Sequence, residues 1–371
     1  MTKGLYVHIP FCKGKCAYCN FCSGVFSEST QKQYFQKLWQ EINSQSPNHK
    51  ISSIFFGGGT PTAVNPAFLV ETLNLIKKRF DVLKRAEITL EANPETVTAE
   101  NLGILKNAGF NRISYGAQSF EDETLKKLGR RHNSLKIFEA VELAKTCGFD
   151  NVSVDLILGA TTLNKLVFEN GINKLLDLGV VHLSVYILML EEGTLLYQKV
   201  KNQDASIVSE EEIAKEYAYV QIFLEKLGLK QYEISNFAKK GYECRHNQNY
   251  WERGEYLAFG ASAHGFNQNV RWENASDVQK YIALPVSKLA VASEKLGQTD
   301  KIVETIMLAL RTTKGLNLEH IKKLGFDVLT EKGGEVQNLK NAGLIEIKDG
   351  FLRITPKNFV VSNSIILKLI P

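Results

Sequence analysis

The sequence contains no apolar run approaching the ~20 residues that a membrane-spanning helix requires, which argues against the helical membrane classes. Its opening stretch, MTKGLYVHIPF, holds neither a long apolar segment nor a small-residue cleavage site, so a secretory leader is not expected and a cytoplasmic location is. A dense basic tract is also missing. The 45 basic and 40 acidic side chains are spread along the chain with a net charge of +5, and that spread argues against a nucleic-acid partner. Cysteine is scarce, six in 371 residues, yet four of the six fall in CKGKCAYCNFC, residues 12 to 22. In a reducing compartment clustered thiols ligate metal more often than they pair, and these four lie too near one another for bridges among them to make structural sense. Hydrophobic residues at 44% and charged residues at 23% are ordinary globular values, and the length suits about two domains with a real core.

Short β-branched or aromatic runs recur at Leu5 to Ile9, Ile51 to Phe56, Ala86 to Ala92, Arg112 to Gly116, Asn151 to Ile157 and His182 to Tyr186. Amphipathic stretches separate them: Thr30 to Asn43, Pro66 to Phe80, Ala99 to Ala108, Ser134 to Cys147 and Leu163 to Leu178. Strands alternating with helices imply an α/β fold with a parallel sheet, expected here as a partial six-stranded barrel. Gly109, Gly148 and Gly179 each follow a helical stretch where a left-handed cap would sit, so one helix-glycine-strand phrase repeats. Beyond residue 190 the rhythm changes, with a helix expected over Ser209 to Leu227 and an irregular stretch from Tyr232 to Asn274. Helical patterns at Ile302 to Thr312, Leu318 to Leu324 and Glu335 to Asn341 precede a hairpin across Lys348-Asp349-Gly350, which suggests a winged-helix-like α+β module for packing or docking. Three parts are therefore expected: a barrel over 1–190, a linking region over 191–295 and the C-terminal module over 296–371.

The first strand ends at Ile9-Pro10 and delivers Cys12, Cys16 and Cys19 in a loop, at the edge where barrels place their sites. Three thiolates at this spacing suit a four-iron cluster with one iron left open. The alternative is a structural zinc site closed by Cys22, although such sites usually pair two short knuckles across a longer loop. Gly57-Gly58-Gly59 with Thr60-Pro61 follows the second strand, where backbone free of side chains can approach a ligand or simply make a tight turn.

Together, CxxxCxxC after strand one and GGGTP after strand two resemble the radical S-adenosylmethionine superfamily. That resemblance implies a [4Fe-4S] cluster on Cys12, Cys16 and Cys19, with S-adenosylmethionine chelating the open iron. YVHIPFCKGKCAYCNF, FFGGGTPT, LEANPE, RISYGAQSF, LGRRH and VDLILG further resemble the family of oxygen-independent coproporphyrinogen III oxidase and its haem-chaperone relatives, the HemW proteins. Carried over position by position, the family's S-adenosylmethionine contacts fall on Tyr6, Tyr18, Gly58, Gly59, Thr60, Glu91, Gln118, Arg130 and Asp155. Glu91 is suited to an ammonium group, Arg130 to a carboxylate and Asp155 to ribose hydroxyls.

Two features resemble the chaperones more than the oxidase. The oxidase has a fourth cysteine two positions after the third, where this chain has Phe21, and it carries a longer extension than the eleven residues that precede Cys12 here. CRHNQNYW, residues 244 to 251, contains the HNxxYW signature of the chaperones. The resemblance thus implies haem as cargo, client haem proteins such as respiratory enzymes, an electron donor, and peripheral membrane association through clients. The alternative it leaves is a porphyrin-synthesising radical enzyme. His246, beside Tyr250 and Trp251, is the first candidate for haem ligation, against a reading as a hydrogen-bonded packing corner. Cys244 could supply a thiolate instead, His264 in GASAHGF could approach a porphyrin, Cys147 is expected in the core, and His8 is expected to support the cysteine loop.

Overall fold

A computed structural model describes residues 2–371. Six parallel strands alternate with helices in chain order. The run is β1 (Lys3–Ile9), α1 (Glu28–Ser44), β2 (Lys50–Gly58), α2 (Pro66–Arg79), β3 (Asp81–Ala92), α3 (Ala99–Ala108), β4 (Arg112–Gln118), α4 (Asp122–Lys127), α5 (Ser134–Thr146), β5 (Asn151–Leu158), α6 (Lys165–Asp177) and β6 (His182–Ile187). The strands lie side by side in sequence order, as repeated strand-helix-strand units produce, and the fold is the expected α/β partial barrel. Gly109, Gly148 and Gly179 take φ of 109°, 86° and 84°, so the repeated glycine does supply the left-handed turn out of each helix.

The period-two alternation of the strands sorts their residues. Leu5, Val7, Ile9, Ile88, Leu90, Ile113, Tyr115, Val152, Val154, Leu183 and Val185 are buried in one apolar core, which the surrounding helices complete. The intervening positions turn the other way and are mostly polar: His8, Ser53, Glu87, Thr89, Arg112, Ser114, Ser153, His182 and Ser184 are buried too. The barrel is therefore apolar where sheet meets helix and polar inside.

The segment expected as a linking region extends the same sheet on both flanks. It contains α7 (Leu195–Lys201), α8 (Glu210–Lys226), β7 (Lys230–Gln231), β8 (Asn236–Ala238), α9 (Arg245–Trp251), β9 (Tyr256–Phe259), β10 (His264–Asn267), β11 (Val270–Asn274), α10 (Val278–Ala283) and β12 (Ala290–Lys295). β8 and β7 continue antiparallel beyond β6, while β9 pairs parallel with β1 and leads antiparallel to β10, β11 and β12. The expectation of an irregular stretch from Tyr232 to Asn274 is thus corrected. Strands of two to five residues carry almost no periodic signal, because their hydrogen bonds come from distant neighbours.

The C-terminal module comprises α11 (Gln298–Ala309), β13 (Leu316–Asn317), α12 (Leu318–Lys323), α13 (Val328–Glu331), α14 (Gly333–Asn341), β14 (Ile345–Lys348), β15 (Phe351–Ile354) and α15 (Ser362–Leu369). β15 pairs with both β14 and β13, giving the expected hairpin across Asp349-Gly350 and a third short strand. Glu304 of α11 ties the module to the main sheet through Arg253 at 2.7 Å and Arg271 at 2.5 Å.

Candidate functional site

β1 to β6 all end at one edge, and the loops leaving β1 and β2 meet there. The cysteine loop is closed by the Cys12 amide donating to Gly24 O (2.9 Å) and the Gly24 amide donating to Pro10 O (2.9 Å), and Ala17 N reaches Leu128 O at 3.0 Å. The glycine triplet packs directly on this loop, with Gly59 N donating to Ile9 O and Thr60 N to Phe11 O, both at 2.8 Å. A Cβ on Gly59 would lie 2.8 Å from those same carbonyl oxygens, and one on Gly58, whose φ is +105°, would lie 2.4 Å from the His8 ring. Each glycine is small because a different neighbour takes the space: Glu91 and Phe55 at Gly57, the His8 ring at Gly58, and the chain entering the cysteine loop at Gly59.

Between these loops and the upper inner face of the barrel lies a cavity of about 480 Å³. Cys12, Cys16, Cys19, Tyr18, Gly58, Gly59, Thr60, Glu91, Gln118, Arg130 and Asp155 all line it, so every residue predicted for the cluster or for S-adenosylmethionine except Tyr6 reaches one space. Its far side, Ile157 and Tyr186 to Met189, is largely apolar, as is Phe21 on the near side.

The polar wall is strongly perturbed. Burial pushes the Glu91 carboxyl up to about 8, with Asp155 adding to the rise, while Gly58 N donates to Glu91 Oε2 at 3.1 Å. Burial also raises Asp155, which accepts from Ser114 Oγ at 3.1 Å. Two carboxyl groups in one dry wall with few donors are poised for a cation or for hydroxyl groups. Arg130 donates through Nη2 to Gly116 O (2.7 Å) and Asn93 Oδ1, and through Nη1 to Cys16 Sγ (3.3 Å), while its buried Nε has no partner. Gln118, at φ 70°, is a non-glycine residue in the left-handed region at the end of β4. Such strain persists where the surroundings impose it, and it commonly marks sites.

The thiols do not converge on one point: among the described residues no three His, Cys, Asp or Glu side chains form a preformed single-ion site. Instead Cys12 Sγ stands 3.5 Å from Thr60 Oγ1, Cys16 Sγ faces Arg130, and Cys19 joins them on the cavity wall. Cys22 points away: its Sγ donates to Ser276 O at 2.7 Å, and its carbonyl oxygen meets His8 Nε2 at 2.8 Å. His8 thus holds the loop, as expected, and Cys22 is set apart from the other three. Cys147, expected in the core, sits half-buried at the end of α5.

Two placements differ from the sequence reading. Tyr6 does not line the cavity: its hydroxyl bonds His8 Nδ1 at 3.0 Å and its ring stacks on Phe55, so it supports the wall from behind. His246 presents no free ring nitrogen in this arrangement. It is fully buried, with Nδ1 bonded to Ser53 Oγ (3.0 Å) and Nε2 to Tyr250 Oη (2.9 Å), and burial, helped by Arg112, lowers it to about 3, so the ring is neutral with both nitrogens engaged. α9 closes the opposite end of the barrel. Glu87 accepts from the amides of Arg245 and His246, each at 3.2 Å, and Cys244 Sγ lies 3.5 Å from it. Cys244 is a buried thiol pushed up to about 12 by burial, which removes it as a thiolate donor.

Sequence reasoning missed Asn93, Ser114 and Met189. Asn93 bonds Thr60 (3.0 Å) and Arg130 and so couples two walls, and its signal was its place in LEANPE, as that of Ser114 was RISYGAQSF. Met189 lines the cavity mouth with 70% exposure and carries no motif.

Comparison with known proteins agrees with this geometry. Residues 6–175 match the radical SAM superfamily and residues 296–361 the HemN C-terminal domain. The chain is 35% identical to the heme chaperone HemW of Bacillus subtilis over 98% of both chains. It is 31% identical to that of Lactococcus lactis, over 98% of this chain and 96% of the other. In structure it is similar to the coproporphyrinogen III oxidase HemN of Escherichia coli, with a TM-score of 0.84 over 100% of this chain and 90% of that one, at 22% identity.

Proposed function

The chain belongs to the family of the heme chaperone HemW, within the radical SAM superfamily, and from that premise we propose that it binds haem and delivers it to client haem proteins, respiratory enzymes among them. The observation that carries this reading is end-to-end similarity to curated chaperones, whereas likeness to the oxidase at 22% identity speaks for the fold alone. The absence of a fourth cysteine at Phe21 supports the same side of the family.

In this reading Cys12, Cys16 and Cys19 hold a [4Fe-4S] cluster, and Tyr18, Gly58, Gly59, Thr60, Glu91, Gln118, Arg130 and Asp155 hold S-adenosylmethionine, in the cavity they share. When bound, the cluster supplies an open iron and one-electron reducing capacity, drawn from an electron donor. The chain's own part is positional. Glu91 offers a carboxylate to an ammonium group once its proton is shed, Asp155 offers oxygens to vicinal hydroxyls, and Arg130, anchored to Gly116 and Asn93, keeps positive charge beside Cys16. The protein acts in the cytoplasm and reaches membranes through its clients.

The test is transfer. Protein with reconstituted cluster is loaded with haem, passed over an apo client and assayed for haem in each fraction. Stoichiometric retention followed by transfer is expected. Failure to retain haem would overturn the reading, as would protoporphyrinogen formation from coproporphyrinogen III with S-adenosylmethionine and a reductant.

A further inference from the structure

The seven histidines divide by what their ring nitrogens do. His8, His132, His182 and His246 are buried with both nitrogens bonded: His8 to Tyr6 and Cys22, His132 to Glu95 and Ala117 O, His182 to Ser153 and Tyr232, His246 to Ser53 and Tyr250. A ligating imidazole must present a lone pair outward, and none of these four does. Of the rest, His49 precedes β2 at the end of the sheet away from the cysteine loop, and His320 lies on α12 of the C-terminal module. His264 remains, exposed, at the first position of β10.

Its placement is specific. β9 runs beside β1 with Phe259 level with Val7, so the turn from Gly260 to Ala263 returns the chain as β10 beside the point where the cysteine loop departs. His8, at that point, is lowered to about 4 by burial, against the bond to the Cys22 carbonyl that raises it, with His264 near enough to add to the fall. The loop itself is pinned here, through Cys22 Sγ to Ser276 O and Cys22 O to His8. Phe21 and Val25, on either side of Cys22, leave large apolar side chains 65% and 68% exposed.

The turn that carries His264 is held with unusual rigidity. Glu41, buried in α1, accepts from Gly260 N (2.9 Å) and Tyr281 Oη (2.6 Å) through Oε2 and from Asn274 Nδ2 (2.6 Å) through Oε1. Asn274 Nδ2 also donates to Gly260 O at 2.9 Å, and Tyr34 Oη donates to His8 O at 2.7 Å while accepting from Ala261 N at 3.0 Å. Ser262 takes φ 58°, left-handed for a non-glycine residue. A buried carboxyl is costly, and this one fixes a four-residue turn together with the end of β1, as outer partners fix a ligand's backbone in metal sites.

We propose that His264 is the axial ligand of the haem iron, and that haem lies on the outer side of the cysteine loop against Phe21 and Val25. This rests on the haem-binding reading above. The bond is a dative one from an imidazole nitrogen, with no electron transferred, and it places the cargo beside the cluster loop, against Phe21 at the near rim of the cavity.

The experiment titrates haemin into the full chain and into His264→Ala, His264→Gly, Met189→Ala and His246→Gln, with unfolding midpoints measured alongside. His264→Ala, altering an exposed side chain, should keep its midpoint, lose on the order of tenfold or more in haem affinity and shift the Soret band. Free imidazole should restore the wild-type spectrum in His264→Gly, a rescue that a merely structural role would not produce. Wild-type spectrum and affinity in His264→Ala would overturn the assignment, as would loss of the ligand signature in folded His246→Gln or in Met189→Ala alone. If wild type takes up no haem, the chaperone reading itself falls.

Discussion

The two ends of the barrel interior are built from nearly the same residues, yet one is a site and the other a plug. Near the strand starts lie Glu87, Arg112, Ser153, His182 and His246; four residues further along β3, about 13 Å at strand rise, lies Glu91, paired with Ser114, and two residues beyond Ser114 and Ser153 lie Gly116 and Asp155, paired with each other. At the lower end α9 covers the strands, both Glu87 oxygens accept from α9 or its cap, and His182 and His246 use both nitrogens. At the upper end Glu91 accepts only from Gly58 N, Asp155 from the Ser114 and Ser184 hydroxyls, and the space above them is open. Residue type does not separate a binding site from a structural network. Unused hydrogen-bonding capacity facing a cavity does.

That contrast is sharpest to break at the lower end. Glu87→Leu orphans two buried amides and strips Arg112 of a nearby counter-charge, so a loss of about 3–5 kcal/mol is expected in urea unfolding. A loss under about 1 kcal/mol would mean the plug is not what holds this end. Glu91→Gln should act in the opposite sense. S-adenosylmethionine binding weakens by about 1.5–3 kcal/mol, roughly tenfold or more, by isothermal titration, while stability holds or rises.

The same residue sets a pH signature. Its folded value of about 8 stands above the ordinary 4.5, so the unfolded chain releases the proton first, and apo stability should fall as pH rises between those values and level off beyond. Glu41, at about 7, adds to the fall, and Glu91→Gln should shallow it. S-adenosylmethionine affinity should rise toward pH 8 in wild type and stay level in the variant.

His246→Leu leaves the Ser53 and Tyr250 hydroxyls without their buried partner and should cost about 1–3 kcal/mol with S-adenosylmethionine affinity unchanged. Lost affinity at unchanged stability would move α9 from plug to site. The smallest effect belongs to Cys22→Ser, for which iron and sulfide content should equal wild type, whereas serine at Cys12, Cys16 or Cys19 should abolish it. Cluster loss in Cys22→Ser would end the separation of three thiols from the fourth.

The repeated units were legible because their signals are local. Alternating Val, Ile and Tyr place β1 to β6 within a few residues of where they form, and α3 forms over Ala99 to Ala108 as expected. The stretch from β7 to β11 was not legible. A seven-residue helix such as α9 is too short to declare itself, since helices of that length are stable only when packed. HNQNYW showed an imidazole among aromatic rings, which suits haem and a packing corner equally.

The sequence by itself determined the strand-helix order, because spacing along a repeated unit puts every strand end on one edge, while its resemblance to the radical S-adenosylmethionine superfamily is what singled out Cys12, Cys16 and Cys19 from Cys22 and pointed to Glu91 and Asp155. Only the tertiary structure decided which histidines are free. Ser53, which occupies His246, is 193 positions away, and Glu41, which braces the turn before His264, stands 219 positions before Gly260. Whether a nitrogen lone pair is available depends on the neighbour that folding brings to it, and no local pattern records that neighbour.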